Sequence, residues 1–129
     1  PGSPEVAPAD QRTRRPEDDL EIPASAAGIV AAMKSRDERV QELIRKQEYK
    51  SLFIPAFEAK VLALELEKKF GSAEQAGRRL KLKRGVKEVV RGAWLLDHFG
   101  DQGDRTEVLQ QHRVFSEGVK DLEALFPSG

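Results

Sequence analysis

The chain contains no cysteine. Disulfides, Cys-ligated zinc, covalent haem attachment through CxxCH and thiol catalysis are therefore excluded together. Net charge is also lacking: Lys plus Arg and Asp plus Glu number 22 each, so the formal charge is zero. No chain-wide field draws the protein toward nucleic acid or an anionic membrane, and any electrostatic role must be local. Nucleic acid is accordingly not an expected partner. No apolar run reaches the roughly eighteen residues that a transmembrane helix needs. What the sequence does have is 129 residues with 39% hydrophobic content, enough for one domain with a real core and too little for two.

The beginning, Pro1-Gly2-Ser3, reads as the remnant of a cleaved expression tag. From Pro4 to Pro23, "PEVAPADQRTRRPEDDLEIP" combines four prolines with dense charge and few apolar residues. Such a composition buries too little surface to order itself, so residues 1–22 are expected to be a flexible, disordered tether. Residues 127–129 are expected to be a short C-terminal tail.

Between these lie residues 23–126, rich in Ala, Leu, Glu, Lys, Arg and Gln, a composition that favours helix. Ser25 is placed to cap a first helix whose apolar positions Ala26, Ile29, Val30, Met33, Val40, Leu43 and Ile44 follow helical spacing up to about Glu48. A second runs from about Leu52 to Phe70. Pro55 is tolerable in its first turn, and Gly71 supplies its stop. "SAEQ" from Ser72 to Gln75 has capping-box form and predicts a third helix reaching Phe99, with Leu82, Val86, Val89, Ala93 and Leu96 on its core side. In "FGDQGD", Gly100 takes the place of a left-handed C-terminal cap, and Asp104 with Glu107 has the spacing of an N-terminal capping pair. The fourth helix then covers Arg105 to Phe126, with Val108, His112, Phe115, Val119, Leu122 and Phe126 in register. Four helices joined by short loops predict an all-α, up-and-down antiparallel four-helix bundle. Ala24, Ala27, Gly28 and Ala31 on the first helix, and Gly85 and Gly92 on the third, imply close helix approach, within the bundle or between two copies of the chain.

Possible chemistry centres on Trp94 to His112, which holds both histidines. An EF-hand loop is excluded because the aspartate spacing does not match. A looser surface metal site would use His98, Asp101 and Asp104, whereas capping and turn formation account for the same residues structurally. His112 lies in the apolar stripe, either as a hydrogen-bonded packing residue or as a ligand or switch. An antiparallel arrangement sets the two histidines roughly 9 Å apart along the bundle axis, which disfavours a shared ion. Met33 and His112 are out of register by a similar distance for haem, and Glu-x-x-His occurs nowhere, which removes the di-iron pattern. No cofactor is expected.

Lys81, Arg84, Lys87 and Arg91 run along one side of the third helix without interleaved aromatics, so no base-stacking platform is expected there. Three readings are open: a solvated face, a docking site for an acidic protein or for the chain's own "EDDLE", and a site for phosphate or lipid headgroups. No catalytic motif is present, and an enzyme would need a polar cavity between the helices.

The stretches "IPASAAGIVAAM", "IPAFEAKVLALELE" and "AWLLDHFGDQGDRTEVLQ…F" resemble a group of small bacterial extracytoplasmic helical proteins. The similarity covers Ile22 to Phe126. It implies a periplasmic binding module in a group sometimes associated with copper or heavy-metal handling. The leading functional expectation is a non-enzymatic extracytoplasmic binding or accessory module working through a helical surface. Phe53 and Ile54 stand where many such proteins carry paired histidines, so that part of a metal site is missing. The alternative function is metal handling or sensing through His112, His98 and nearby carboxylates.

Overall fold

The computed structural model describes residues 16–127. It is an all-helical bundle of α1 (Ala26–Arg45), α2 (Phe53–Phe70), α3 (Ala76–Gln102) and α4 (Arg105–Leu125). Each helix packs on its neighbours in sequence, and α4 closes the ring against α1. The expectation for residues 1–15 of the tether lies outside the described residues. The folded unit nonetheless begins ahead of Pro23: Pro16–Asp19 forms a 3-10 turn that packs on α2, and Leu20 and Ile22 lie against the core. Two apolar residues among charges suffice to dock this segment because α2 offers a wide apolar surface.

That width was visible in α2, whose buried residues run from Pro55 and Ala56 round to Lys60 and Leu66. Pro55 occupies the first turn, where its missing N–H has no helical acceptor to lose. The stripes on the other helices are buried as their spacing predicts: Leu82, Val86, Val89, Ala93 and Leu96 from α3 meet Val108, Phe115, Val119 and Leu122 from α4. Gly85, Gly92 and Gly118 lie between them. A Cβ on Gly85 would come within 2.7 Å of Leu122 Cδ2, and one on Gly92 within 2.8 Å of Phe115 Cβ. These glycines therefore serve α3–α4 packing inside the bundle. Gly28 has a different task, since a Cβ there would press on Pro23 and Ser25 at 2.9 Å. It lets the incoming chain fold back over the first turn of α1.

The ends of the helices depart from expectation in three places. Gly71 is right-handed (φ −66°), and α2 runs on into a 3-10 turn, Gly71–Ala73, instead of stopping at a left-handed glycine. That turn absorbs Ser72 and Ala73 and is followed by the extended Glu74, so α3 starts at Ala76, and Gln75 at its cap makes no side-chain capping bond. The sequence has the letters of a capping box, but Ser72 is committed to the preceding turn. At the other end α3 continues past Phe99 through Gly100 to Gln102, and Gly103 is the left-handed residue (φ 67°). Gly103 N–H donates to Gly100 O and Asp104 N–H to Phe99 O, both at 3.0 Å, the paired bonds of a Schellman ending.

Asp104 caps α4 as expected, its Oδ1 accepting from Glu107 N–H at 3.2 Å. Asp104→Ala should cost about 1 kcal/mol and Asp104→Ser should restore most of it, as read by thermal melting, because serine also caps. α1 ends in the same paired pattern but places Gln47 at φ 60°. Gln47→Gly should therefore stabilise the protein by about 1 kcal/mol in urea titration, since glycine carries no Cβ penalty there. An unchanged midpoint would show that this turn is not strained.

Candidate functional site

The two histidines are in different surroundings. His98 is exposed on the outer side of α3, its Nε2 3.4 Å from Gln102 Nε2. Beside it, burial pushes the Asp97 carboxyl up from its ordinary range, the charge of Asp101 adds to the effect, and His98 partly offsets it. The folded state thus holds that proton more tightly than the unfolded chain. This contribution favours folding at low pH and is lost as pH rises through the folded-state value. Asp101 is exposed, and Asp104 is committed to its cap.

His112 faces inward between α4 and α1. Its Nε2 is 2.9 Å from Asp37 Oδ1, and Ser116 Oγ donates to Asp37 Oδ2 at 2.8 Å. Both His112 and Asp37 side chains are 15% exposed. One carboxylate thereby serves two residues one turn apart on α4, which fixes the α1–α4 register with a polar clasp. Among the described residues no group of three or more His, Cys, Asp or Glu side chains is placed to hold a metal ion. His98, Asp101, Asp104 and His112 are therefore not brought together; what His112 has is a hydrogen-bonded structural partner. Asp37→Ala should cost about 1–3 kcal/mol in urea denaturation, because it strands two part-buried polar groups. Ser116→Ala should cost less, since Asp37 keeps its histidine.

Lys81, Arg84, Lys87 and Arg91 are all exposed on α3. Every charged residue from Arg78 to Arg91 is basic except Glu88. On α1 the cations are matched: Lys34 pairs with Glu123 at 3.4 Å, Arg36 with Glu58 at 3.0 Å, and Arg39 and Arg45 with Glu42, while Arg78 at the start of α3 pairs with Glu74 four residues before it. Among the described residues, Lys81, Arg84, Lys87 and Arg91 have no ion-pair partner. The 3-10 turn Pro16–Asp19, which contains the first three residues of "EDDLE", packs on α2 and not on the basic stripe. The cations border two shallow depressions along the α3–α4 seam. One, of ≈ 450 Å³, is lined by Arg78, Lys81, Arg84, Asp121, Ala124 and Leu125, and the other, of ≈ 320 Å³, by Arg84, Lys87, Glu88, Arg91 and Val114.

The stripe is also less purely basic than its charges suggest. Leu80 is 62% exposed and Trp94 49% exposed, and both share the outward face with Arg84, Lys87 and Arg91. Trp94 rests against Phe57 of α2 with centroids 4.9 Å apart, and the buried Lys60 ammonium lies 4.8 Å from the Trp94 ring and 4.7 Å from that of Phe57. An aromatic does accompany the cations, and the spacing signal was available: Trp94 follows Arg91 by three residues, and Leu80 precedes Arg84 by four. Compared with protein-family models, curated proteins and solved structures, the chain shows no match.

Proposed function

We propose that this chain is a non-enzymatic binding module that captures a protein partner on the exposed face of α3. The observation that carries the reading is the unpaired row Lys81, Arg84, Lys87 and Arg91 in a chain whose formal charge is zero and whose α1 pairs all four of its Lys and Arg residues. A solvated face gains by neutralising neighbouring charges on the next turn, as α1 does with Arg39 and Glu42. Concentrating one sign on a single helix repels locally, and an oppositely charged partner offsets that repulsion. Arg and Trp side by side are also the residue types that dominate interface energetics. The resemblance to extracytoplasmic helical proteins supports placing the module outside the cytoplasm, which fractionation of a bacterium making the protein would test.

The test of the module itself is comparative capture from a native extract. Immobilised protein and the triple variant Arg84→Glu, Lys87→Glu, Arg91→Glu are compared by quantitative mass spectrometry, with melting curves to confirm that both are folded. A discrete set of proteins should fall by about tenfold or more with the variant, the loss expected when roughly 1.4 kcal/mol of interfacial attraction is removed. Identical capture by both proteins would refute the reading.

A further inference from the structure

Resting on that reading, we infer that the partner presents an acidic helical segment with apolar ends, which lies along the outward face of α3. The first ground is the order of residues on the outward face. Leu80, Arg84, Lys87, Arg91 and Trp94 succeed one another at spacings of four, three, four and three, which on a helix is a single row. At 1.5 Å per residue the row is about 21 Å long, with its three cations confined to the middle 10 Å or so. Exposed apolar groups stand at both ends, Leu80 at 62% and Trp94 at 49%. The complementary ligand has the reverse polarity pattern: carboxylates in the centre and apolar side chains outside them. A helix laid along α3 supplies carboxylates at the same pitch when Asp or Glu recurs every third or fourth residue.

The second ground is shape. On its α4 flank the row is bordered by depressions, where Asp121, Ala124 and Leu125 of α4 face Arg78, Lys81 and Arg84, and Val114 faces Arg84, Lys87 and Arg91. Behind the seam the two helices are drawn together at Gly85, Gly92 and Gly118. A helix lying on the row can send side chains into these flanking depressions, which a flat bilayer surface cannot, and this favours a helix. Trp94 points the same way. Its ring lies against Phe57 with the Lys60 ammonium nearby, so it forms a fixed wall at one end of the row. Held on one side, it has only part of its ring free to enter a bilayer. Nor does one aromatic make a stacking platform for successive bases. Asp121 and Glu88 also line the depressions, so the attractive strip is the outer row and not the floor.

The experiment uses a synthetic peptide of about 16 residues, long enough to follow the row. It carries glutamates at helical spacing of three and four, with leucines at either end, and its control is a scrambled peptide of equal composition. Binding is followed by calorimetry and by amide chemical shifts of the whole labelled protein. Phosphatidylcholine vesicles with and without phosphatidylserine, and a single-stranded oligonucleotide, form parallel arms. The patterned peptide should bind, shift amides from Leu80 to Trp94, and lose about tenfold in affinity in Arg84→Gln/Arg91→Gln and again in Trp94→Ala, with Trp94→Phe retaining most of it. These positions are exposed, so the fold should survive each change. Equal binding of the scrambled peptide, shifts elsewhere on the protein, or binding only to anionic vesicles or to the oligonucleotide would overturn the inference. If the peptide fails while capture from extract still depends on the α3 cations, the helical-partner inference falls and the binding-module reading stands.

Discussion

Leu122→Ala is expected to destabilise the bundle by about 2–5 kcal/mol and to reverse the sign of a second substitution, Gly85→Ala. Leu122 is fully buried on α4 and its Cδ2 and Cγ occupy the space where a Cβ on Gly85 would be, at 2.7 and 2.9 Å. In the parent, Gly85→Ala forces that leucine off its rotamer, a cost of about 1–3 kcal/mol that exceeds the roughly 1 kcal/mol alanine gains in a helix. Once Leu122 is truncated, the obstructing atoms are gone and the next neighbour, Gly118 O, stands 3.5 Å away at ordinary contact distance. The helix gain and partial filling of the cavity then make Gly85→Ala stabilising. Urea denaturation of all four proteins in the cycle measures the coupling. Additive effects would mean that the two helices are not held together at this point as described.

Gly100→Ala is expected to cost about 2 kcal/mol, for a reason distinct from backbone handedness. Gly100 is inside α3 with ordinary helical geometry, but its Cβ position lies 2.5 Å from the carbonyl oxygen of Tyr49, an atom that no rotamer change can move. The clash therefore falls on the α1–α2 connection. Gly103→Ala makes an informative contrast: nothing lies within 4 Å of its Cβ position, yet φ is 67°, so its cost of about 1 kcal/mol is conformational alone. The two variants should also differ in where the damage appears. Amide exchange near Tyr49 should rise with Gly100→Ala and stay unchanged with Gly103→Ala. Equal, local effects at the end of α3 would return Gly100 to the role of a cap.

This pair of glycines shows how far the sequence can be read. In "FGDQGD" both glycines are plausible helix ends three residues apart, and what separates them is a contact with Tyr49, about fifty positions earlier in the chain. The same limit applies to His112. Its place in the stripe of α4 was legible from spacing, but Asp37 as its partner was not, because a charged residue in "KSRDER" gives no sign of which helix it will meet. Core stripes suffer less from this, since Leu82, Val86 and Leu96 only need an apolar neighbour and any packed helix supplies one. The basic stripe was legible as charge, and its lack of partners was not, since pairing depends on which carboxylates the fold brings near. Trp94 and Leu80 were missed as members of that face although their spacing placed them on it. The apolar pair Leu20 and Ile22 was hidden by the charges around it, because composition averages over the residues that dock.

The chain has one tryptophan and one tyrosine, and the tryptophan is Trp94. Its indole is half-exposed at the end of the α3 row, against Phe57 and beside the Lys60 ammonium. Indole emission responds to nearby charge and to water, so the protein carries a native optical reporter within the surface proposed to bind its partner. A ligand that covers the row would shield the ring and shift its emission toward shorter wavelength, whereas unfolding would remove it from both Phe57 and Lys60 and shift it the other way. The two events are thus distinguishable by colour in one unlabelled sample.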